Sequence, residues 1–501
     1  MSSSHYSLLI ILILFSTCVT TGKNLDGYYI PKLSVHRRTF IQEPTWPVRA
    51  SVLSKDFQTF FFNQTLDHFS YRPESYTLFK QRYAISFKYW GGANASAPIF
   101  VYLGAEAPID DNIGAIGFLT DNAAQFGALL VYIEHRFYGE SIPYGLTLDK
   151  ALSDHNTRGY FSSAQALADY AEILVYLKQK LNAKHSPIIV IGGSYGGVLA
   201  SWFRLKYPHV ALGALASSAP ILYFHDIIPR DQYYSVVAKD FLETSFSCHQ
   251  TIRRSWEEID RVASEPRGLM KLSKTFKTCR PLESSLQLKE HLISVYVNAA
   301  QYNDPFERPV KMICNAIDGP SPRNDILRKI FAGLIASAKN LTCYVNPPSP
   351  RPSQTDLGWP WQSCSELVAP DDTTNSTMFQ PKPFSLNEFV NDCKRSFGVA
   401  PRPHWVTTYY GGHDIKLVLH RFASNIIFSN GLQDPYSSGG VLKNISDTVV
   451  AVYTAKGSHC LDIVPATEKD PIWLIKQRKT EVEIIRKWIA TYYADLRAFG
   501  K

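Results

Sequence analysis

Pro187 to Leu205 reads PIIVIGGSYGGVLASWFRL. An apolar run, Pro187 to Ile191, meets a glycine-rich turn, and a helical stretch follows from Val198 to Leu205. Strand, tight turn and helix form the setting in which a G-x-S-x-G motif works, here Gly192 to Gly196. The small residues let a strained turn pack, and the turn lifts the Ser194 hydroxyl above a sheet. The flanking sequence supplies that sheet. Gln81 to Tyr89, Pro98 to Leu103, Ala128 to Ile133 and Val210 to Ala216 are short apolar or alternating runs that read as strands. Ser162 to Leu181 carries apolar residues at helical spacing, with Ser162 or Ser163 as N-cap. Alternating strands and helices predict an α/β fold with a parallel sheet covered on both faces.

The rhythm breaks at Ala219-Pro220. Residues 221–405 hold mostly helical patterns, such as Thr251 to Ala263 and Ser284 to Ala299, the loop Pro347 to Pro352, and six of the eight cysteines. This reads as a helical cap inserted into the α/β unit and stapled by disulfides. From residue 406 the β-rich pattern resumes with Asn425 to Phe428 and Thr448 to Tyr453, and a helix over Thr480 to Tyr493 closes the chain. The first part of the α/β unit is then 51–220 and the second 406–501. No internal repeat is found.

Composition bounds the function. With 45% hydrophobic and 19% charged residues in 501, the chain can bury a large core, which excludes intrinsic disorder. A net charge of +8 spread without a basic run argues against nucleic acid as a partner. Ser7 to Val19 is apolar but shorter than the ~20 residues of a membrane span. Small residues follow it, so residues 1–22 read as a secretory signal peptide, although Lys and Arg are missing before it. Residues 23–50 are either a trimmed propeptide or a surface arm. The expected compartment is the secretory pathway, ending in a lysosome or vacuole or outside the cell. Five N-x-S/T sequons, at Asn63, Asn94, Asn340, Asn375 and Asn444, fit glycosylation on that route. Cys18 leaves with the signal, and Cys248, Cys279, Cys314, Cys343, Cys364 and Cys393 cluster, which leaves Cys460 apart. Their spacing alone assigns no pairing. No Cys/His cluster suggests zinc, so no metal and no cofactor is expected.

A serine hydroxyl needs a base to take its proton. In this strand–elbow–helix arrangement the chain order is serine, acid, histidine. His459 follows the strand ending at Tyr453, at the carboxyl edge where open α/β sheets build their sites. Asp434 and Asp447 precede it. Asp434 lies past the end of a strand, on the same edge as Ser194, whereas Asp447 lies before one, so Asp434 is selected. An oxyanion hole would take the Tyr195 backbone N–H and a second amide from the loop Gly104-Ala105-Glu106, with Ala105 chosen.

Several phrases resemble family S28 serine peptidases, which comprise lysosomal Pro-X carboxypeptidases and dipeptidyl-peptidase II relatives. They are Gly192 to Gly197, Glu134 to Ser141, Ser429-Asn430-Gly431 with Asp434-Pro435, and Gly457-Ser458-His459 with Leu461-Asp462. Leu103 to Pro108 resembles the plant Pro-X carboxypeptidase-like branch. The resemblance implies an α/β-hydrolase fold with an inserted helical cap and the triad Ser194, Asp434 and His459. It also implies the bridges Cys248–Cys314, Cys279–Cys343 and Cys364–Cys393. A fourth bridge usual in the family is missing, with Arg230 and Asp371 or Asp372 near its place. Tyr436 stands where Trp is usual, Val198 where Met is common, and Cys460, expected as a free thiol, where His is usual.

The resulting expectation is a serine carboxypeptidase acting on peptides ending in Pro-X, with Tyr436, Val198 and Met378 lining a proline pocket. The alternatives are a dipeptidyl-peptidase releasing N-terminal X-Pro pairs, an esterase or lipase, and an inert glycosylated binding protein on the same fold. Arg136 and Glu106 are opposite candidates for recognising a substrate terminus. A peptide is the expected partner, without nucleic acid or membrane, and a homodimer is left open.

Overall fold

A computed structural model describes residues 54–499 except 225–226, 321–324, 339–340 and 347–351. The expected signal peptide, the 23–50 arm, Asn340 and nearly all of the Pro347 to Pro352 loop lie outside the described residues. Eight strands form one sheet: β1 (Gln58–Thr65), β2 (Leu78–Ser86), β3 (Ile99–Leu103), β4 (Leu129–Ile133), β5 (Ile188–Gly193), β6 (Gly213–Ser217), β7 (Ile426–Gly431) and β8 (Val449–Thr454). Their spatial order is β1-β2-β4-β3-β5-β6-β7-β8. The pairs from β4 to β8 are parallel, while β1 and β2 add an antiparallel ribbon at one edge. β1 escaped the sequence reading because Phe60, Phe61 and Phe62 run together, with Phe61 exposed, and blur the alternation of an edge strand.

The central strands are apolar throughout because both faces are covered. Ile99, Val101 and Leu103 face one core, while Phe100 and Tyr102 face another. The first core is closed by α2 (Ser163–Lys180) and α3 (Tyr195–Lys206), the second by α1 (Gly117–Phe126) and the C-terminal helix Ile472–Phe499. Ser162 caps α2 by accepting the Gln165 N–H, which satisfies one orphan donor of its first turn. This is the α/β-hydrolase architecture. Because β3 leads outward to β4 and β5 starts on the other side, their outgoing loops part and leave a crevice between them. That is where such sheets bind ligands.

Between β6 and β7 the chain leaves the sheet and builds helices. Those used below are α4 (Gln232–Thr244), α5 (Phe246–Ala263), α6 (Ser285–Gln301), α7 (Pro309–Asp318), α8 (Ile326–Ser337), α9 (Gln354–Ser365) and α10 (Leu386–Phe397). The apolar face of α5 (Ile252, Trp256, Ile259) joins the same core as Val198 and Leu199 of α3, so the insertion and the sheet share one apolar interior. Cys248–Cys314 ties α5 to α7, Cys364–Cys393 ties α9 to α10, and Cys279–Cys343 joins the loop before α6 to the loop after α8. The longer bridges span 66 and 64 residues, which on a chain-entropy argument is worth about 4 kcal/mol each. Cys460 is free and buried. Non-reducing peptide mapping is expected to recover these three pairs with Cys460 as a thiol. A bridge from Cys460 into the insertion would contradict that arrangement.

Candidate active site

The turn between β5 and α3 is built at the limit of what backbones allow. Ser194 has φ 59° and ψ −122°, a conformation non-glycine residues rarely adopt. Its N–H donates to the Ser217 carbonyl at 2.8 Å, which anchors the turn to β6. A Cβ on Gly192 would stand 2.0 Å from the Gly196 carbonyl oxygen, so the elbow closes only over a bare backbone. A Cβ on Gly196 would meet the Leu103 carbonyl oxygen at 3.1 Å and the Ala105 methyl at 3.4 Å. The loop after β3 therefore packs directly on the elbow. Tyr195 opens α3, so its N–H is one of the first four that no intrahelical carbonyl receives.

Two further loops bring the partners. His459, in the loop after β8, has Nε2 2.9 Å from Ser194 Oγ and Nδ1 2.7 Å from Asp434 Oδ2. Asp434 lies after β7, and its other oxygen accepts the Tyr436 N–H at 3.0 Å. All three side chains are buried. Asp447 is exposed beyond the opposite end of β8. The His459 N–H donates to the Gln301 carbonyl at the end of α6, so the insertion helps to seat the histidine loop. Burial would depress the imidazole pKa, but the Asp434 carboxylate overrides it and holds the ring well above its ordinary value. A hydroxyl, an imidazole and a carboxylate in this order can move a proton from Oγ to Nε2 while Nδ1–H stays bonded to the acid.

Beside this group lies a mainly apolar cleft lined by Tyr223, Phe224, Trp359, Leu367, Phe389 and Tyr436. The Tyr436 ring lies 5.6 Å from the His459 ring and the Trp359 ring 5.7 Å from that of Tyr195, centroid to centroid. Trp359 comes from α9 in the insertion and was missed by sequence reasoning, since no local pattern says where an inserted helix lands. Val198 and Met378 are fully buried, Val198 in the first turn of α3 and Met378 with its carbonyl accepting the Trp256 indole N–H. Neither is among the residues lining the cleft.

Of the two candidates for meeting a substrate terminus, Arg136 is committed elsewhere. Its guanidinium pairs with Asp169 and donates to the Leu66, Tyr160 and Thr65 carbonyls. Glu106 is different: it is buried, and neither carboxylate oxygen makes a hydrogen bond to another described residue. Cys460 packs under the triad, its N–H donating to Ser218 Oγ at 2.9 Å. Burial pushes its thiol pKa up, against the opposing pull of the neighbouring His459 ring. Among the described residues no group of His, Cys, Asp and Glu is arranged to hold a metal.

Residues 64–481 match the family described as Serine carboxypeptidase S28. The chain belongs to that family. It is 37% identical to human "Lysosomal Pro-X carboxypeptidase" over 467 residues, covering 90% of this chain and 92% of that one. The bovine protein of the same name is 36% identical over 511 residues, covering 98% of each chain. An acetylester hydrolase from Corynebacterium glutamicum covers 87% of this chain and 97% of its own at 12% identity. Its TM-score is 0.38, too loose a likeness to add to what the sheet shows. As an S28 member the chain is a serine exopeptidase, and the esterase, lipase and inert-binder readings fall away.

Proposed function

We propose that this S28 peptidase removes the last residue from peptides ending in Pro-X. Ser194 Oγ attacks the prolyl carbonyl while His459 Nε2 takes its proton. The same proton then goes to the leaving amine of X. A water molecule hydrolyses the prolyl ester on Ser194, and Asp434 holds the imidazole tautomer and stabilises the imidazolium. The Tyr195 and Ala105 N–H groups receive the developing oxyanion. The observation that carries the substrate reading is the aromatic cleft beside the triad. A proline ring is compact, rigid and apolar, and suits a slot walled by Tyr436 and Trp359. The printed names of the relatives support the same class.

We also propose a lysosomal, vacuolar or extracellular location, which the lysosomal relatives support. Asn63, Asn94, Asn375 and Asn444 are exposed, as glycan acceptors must be.

One peptide set tests the specificity. A peptide ending in Pro-X is expected to lose X, and acetylating its N-terminus is expected to leave cleavage intact. Replacing the proline by glycine should lower kcat/KM by roughly tenfold or more. If acetylation stops the reaction and an N-terminal X-Pro pair is the product, the enzyme is a dipeptidyl-peptidase.

A further inference from the structure

Among the described residues two buried acids outside the triad, Glu106 and Asp240, have no hydrogen-bond partner on either carboxyl oxygen from another residue. Asp240 sits on α4 of the insertion, and Glu106 is the one beside the elbow. Glu106 lies in the loop that leaves β3, on the crevice shared with the Ser194 elbow, one residue past Ala105. Its backbone carbonyl accepts the Thr355 hydroxyl of α9, so the loop is fixed from the insertion as well as from the sheet. The residue is 2% exposed, and neither carboxyl oxygen makes a hydrogen bond to another described residue. Three titratable groups feel its charge: His459 from the loop after β8, Tyr102 from β3 and Tyr138 from the loop after β4. The two phenols do not satisfy it, since Tyr102 donates to Asn112 and Tyr138 to Gln362. An ionised carboxylate so enclosed is costly. Burial pushes the Glu106 pKa up to about 8, its own backbone N–H and the nearby His459 charge offsetting only part of that. In mildly acidic or neutral solution Glu106 is therefore a carboxylic acid whose proton meets no acceptor on another described residue.

A carboxypeptidase must recognise a terminal carboxylate, and the buried cations here are paired or lie away from the elbow. Among the described residues the buried cationic side chains of Lys and Arg are Arg82, Arg136, Arg158 and Arg204. Arg82 pairs with Glu134 and Arg136 with Asp169. Arg158 donates to the Leu152 carbonyl and meets His155. Arg204 donates to the Pro208 carbonyl and Ser424; its Nε has no partner among the described residues, but it sits in the last turn of α3, at the opposite end from Ser194. A neutral acid can take the place of a cation: it donates a short hydrogen bond to a carboxylate while protonated and repels it once ionised. We propose that Glu106 holds the C-terminal carboxylate of the substrate by donating its carboxyl proton to it in a hydrogen bond. This assignment rests on the carboxypeptidase reading and makes Glu106 a specificity-determining residue for it.

The experiment measures KM and kcat for one Pro-X peptide and its C-terminal amide over about pH 5 to pH 9. It compares the native enzyme with Glu106→Gln and Glu106→Ala and records a melting curve for each. For the native enzyme, KM for the free acid should rise about tenfold as the pH passes about 8, while kcat follows the same His459 limb for both peptides. The amide should show no such rise, and the His459 limb, common to both peptides, cancels in their ratio. Glu106→Gln still donates but cannot ionise, so its KM for the free acid should stay level across that range. Glu106→Ala should raise that KM by about tenfold or more at low pH. An alkaline rise that survives in Glu106→Gln overturns the proposal, as does Gln weakening free-acid binding as much as Ala does. If Glu106→Ala does not fold, the Gln comparison decides alone. Loss of cleavage on N-terminal acetylation would instead overturn the carboxypeptidase reading itself, a result separate from either Glu106 variant.

Discussion

Ser194→Ala is expected to lower kcat by about a million-fold while the protein stays folded. Among the described residues the Oγ atom bonds only to His459 Nε2, and the backbone anchor to Ser217 belongs to the main chain. An alanine methyl fits the same φ of 59° and fills nearly the same space. What disappears is the nucleophile. Residual hydrolysis about a thousand-fold above water should remain, because the oxyanion donors and the cleft still bind the substrate. The check is a single-turnover assay alongside a melting curve. Turnover near the native rate with an unchanged melting curve would remove Ser194 from the mechanism.

Asp434→Asn is expected to cost about ten-thousand-fold in kcat, and Asp447→Asn to leave the rate within about twofold. The amide would keep the volume of the carboxylate but offer Nδ1 the wrong partner, so the imidazole would settle in the tautomer that cannot accept from Oγ. A second signature follows from charge. His459 works as a base only when neutral, so activity falls as the pH drops through its pKa. The Asp434 carboxylate holds that pKa above the ordinary imidazole value, against the pull of burial. Removing the charge should therefore move the acid limb of kcat/KM to lower pH as well as lowering the plateau. An acid limb that stays in place would mean another group sets it. An Asp447→Asn variant as damaged as Asp434→Asn would contradict the assignment by strand ends.

Much of the core fold was legible in the sequence because it is written locally. The runs Ile99–Leu103, Leu129–Ile133 and Ile188–Gly193 are apolar at nearly every position because both sheet faces are covered, and such runs stand out from any polar surround. The elbow announces itself in the same way, since a strained serine needs small neighbours. Asp434 could be separated from Asp447 by chain direction alone: in a parallel sheet the residue after a strand and the residue before one lie at opposite edges. The antiparallel strand Gln58–Thr65 was not legible, because three adjacent phenylalanines at an exposed edge hide the alternation that marks a half-buried strand.

The sequence by itself determined the strand–elbow–helix unit, the order of serine, acid and histidine, and the change of rhythm that marks the insertion. Each is encoded within a few residues of chain, in side-chain size, branching and direction. Tertiary structure alone decided what surrounds the triad. Gln301 and Trp359 reach it from the insertion, 158 and 100 residues before His459 in the chain. No local pattern encodes where an inserted helix comes to rest, and only its packing on the sheet closes those separations. The same holds for Arg136 and Glu106. Sequence ranks the two equally, yet the fold gives Arg136 the Asp169 carboxylate and leaves the Glu106 carboxyl buried with no hydrogen bond to another described residue. Which charge finds a counter-charge depends on contacts between segments far apart in the chain, and those exist only once the core has formed.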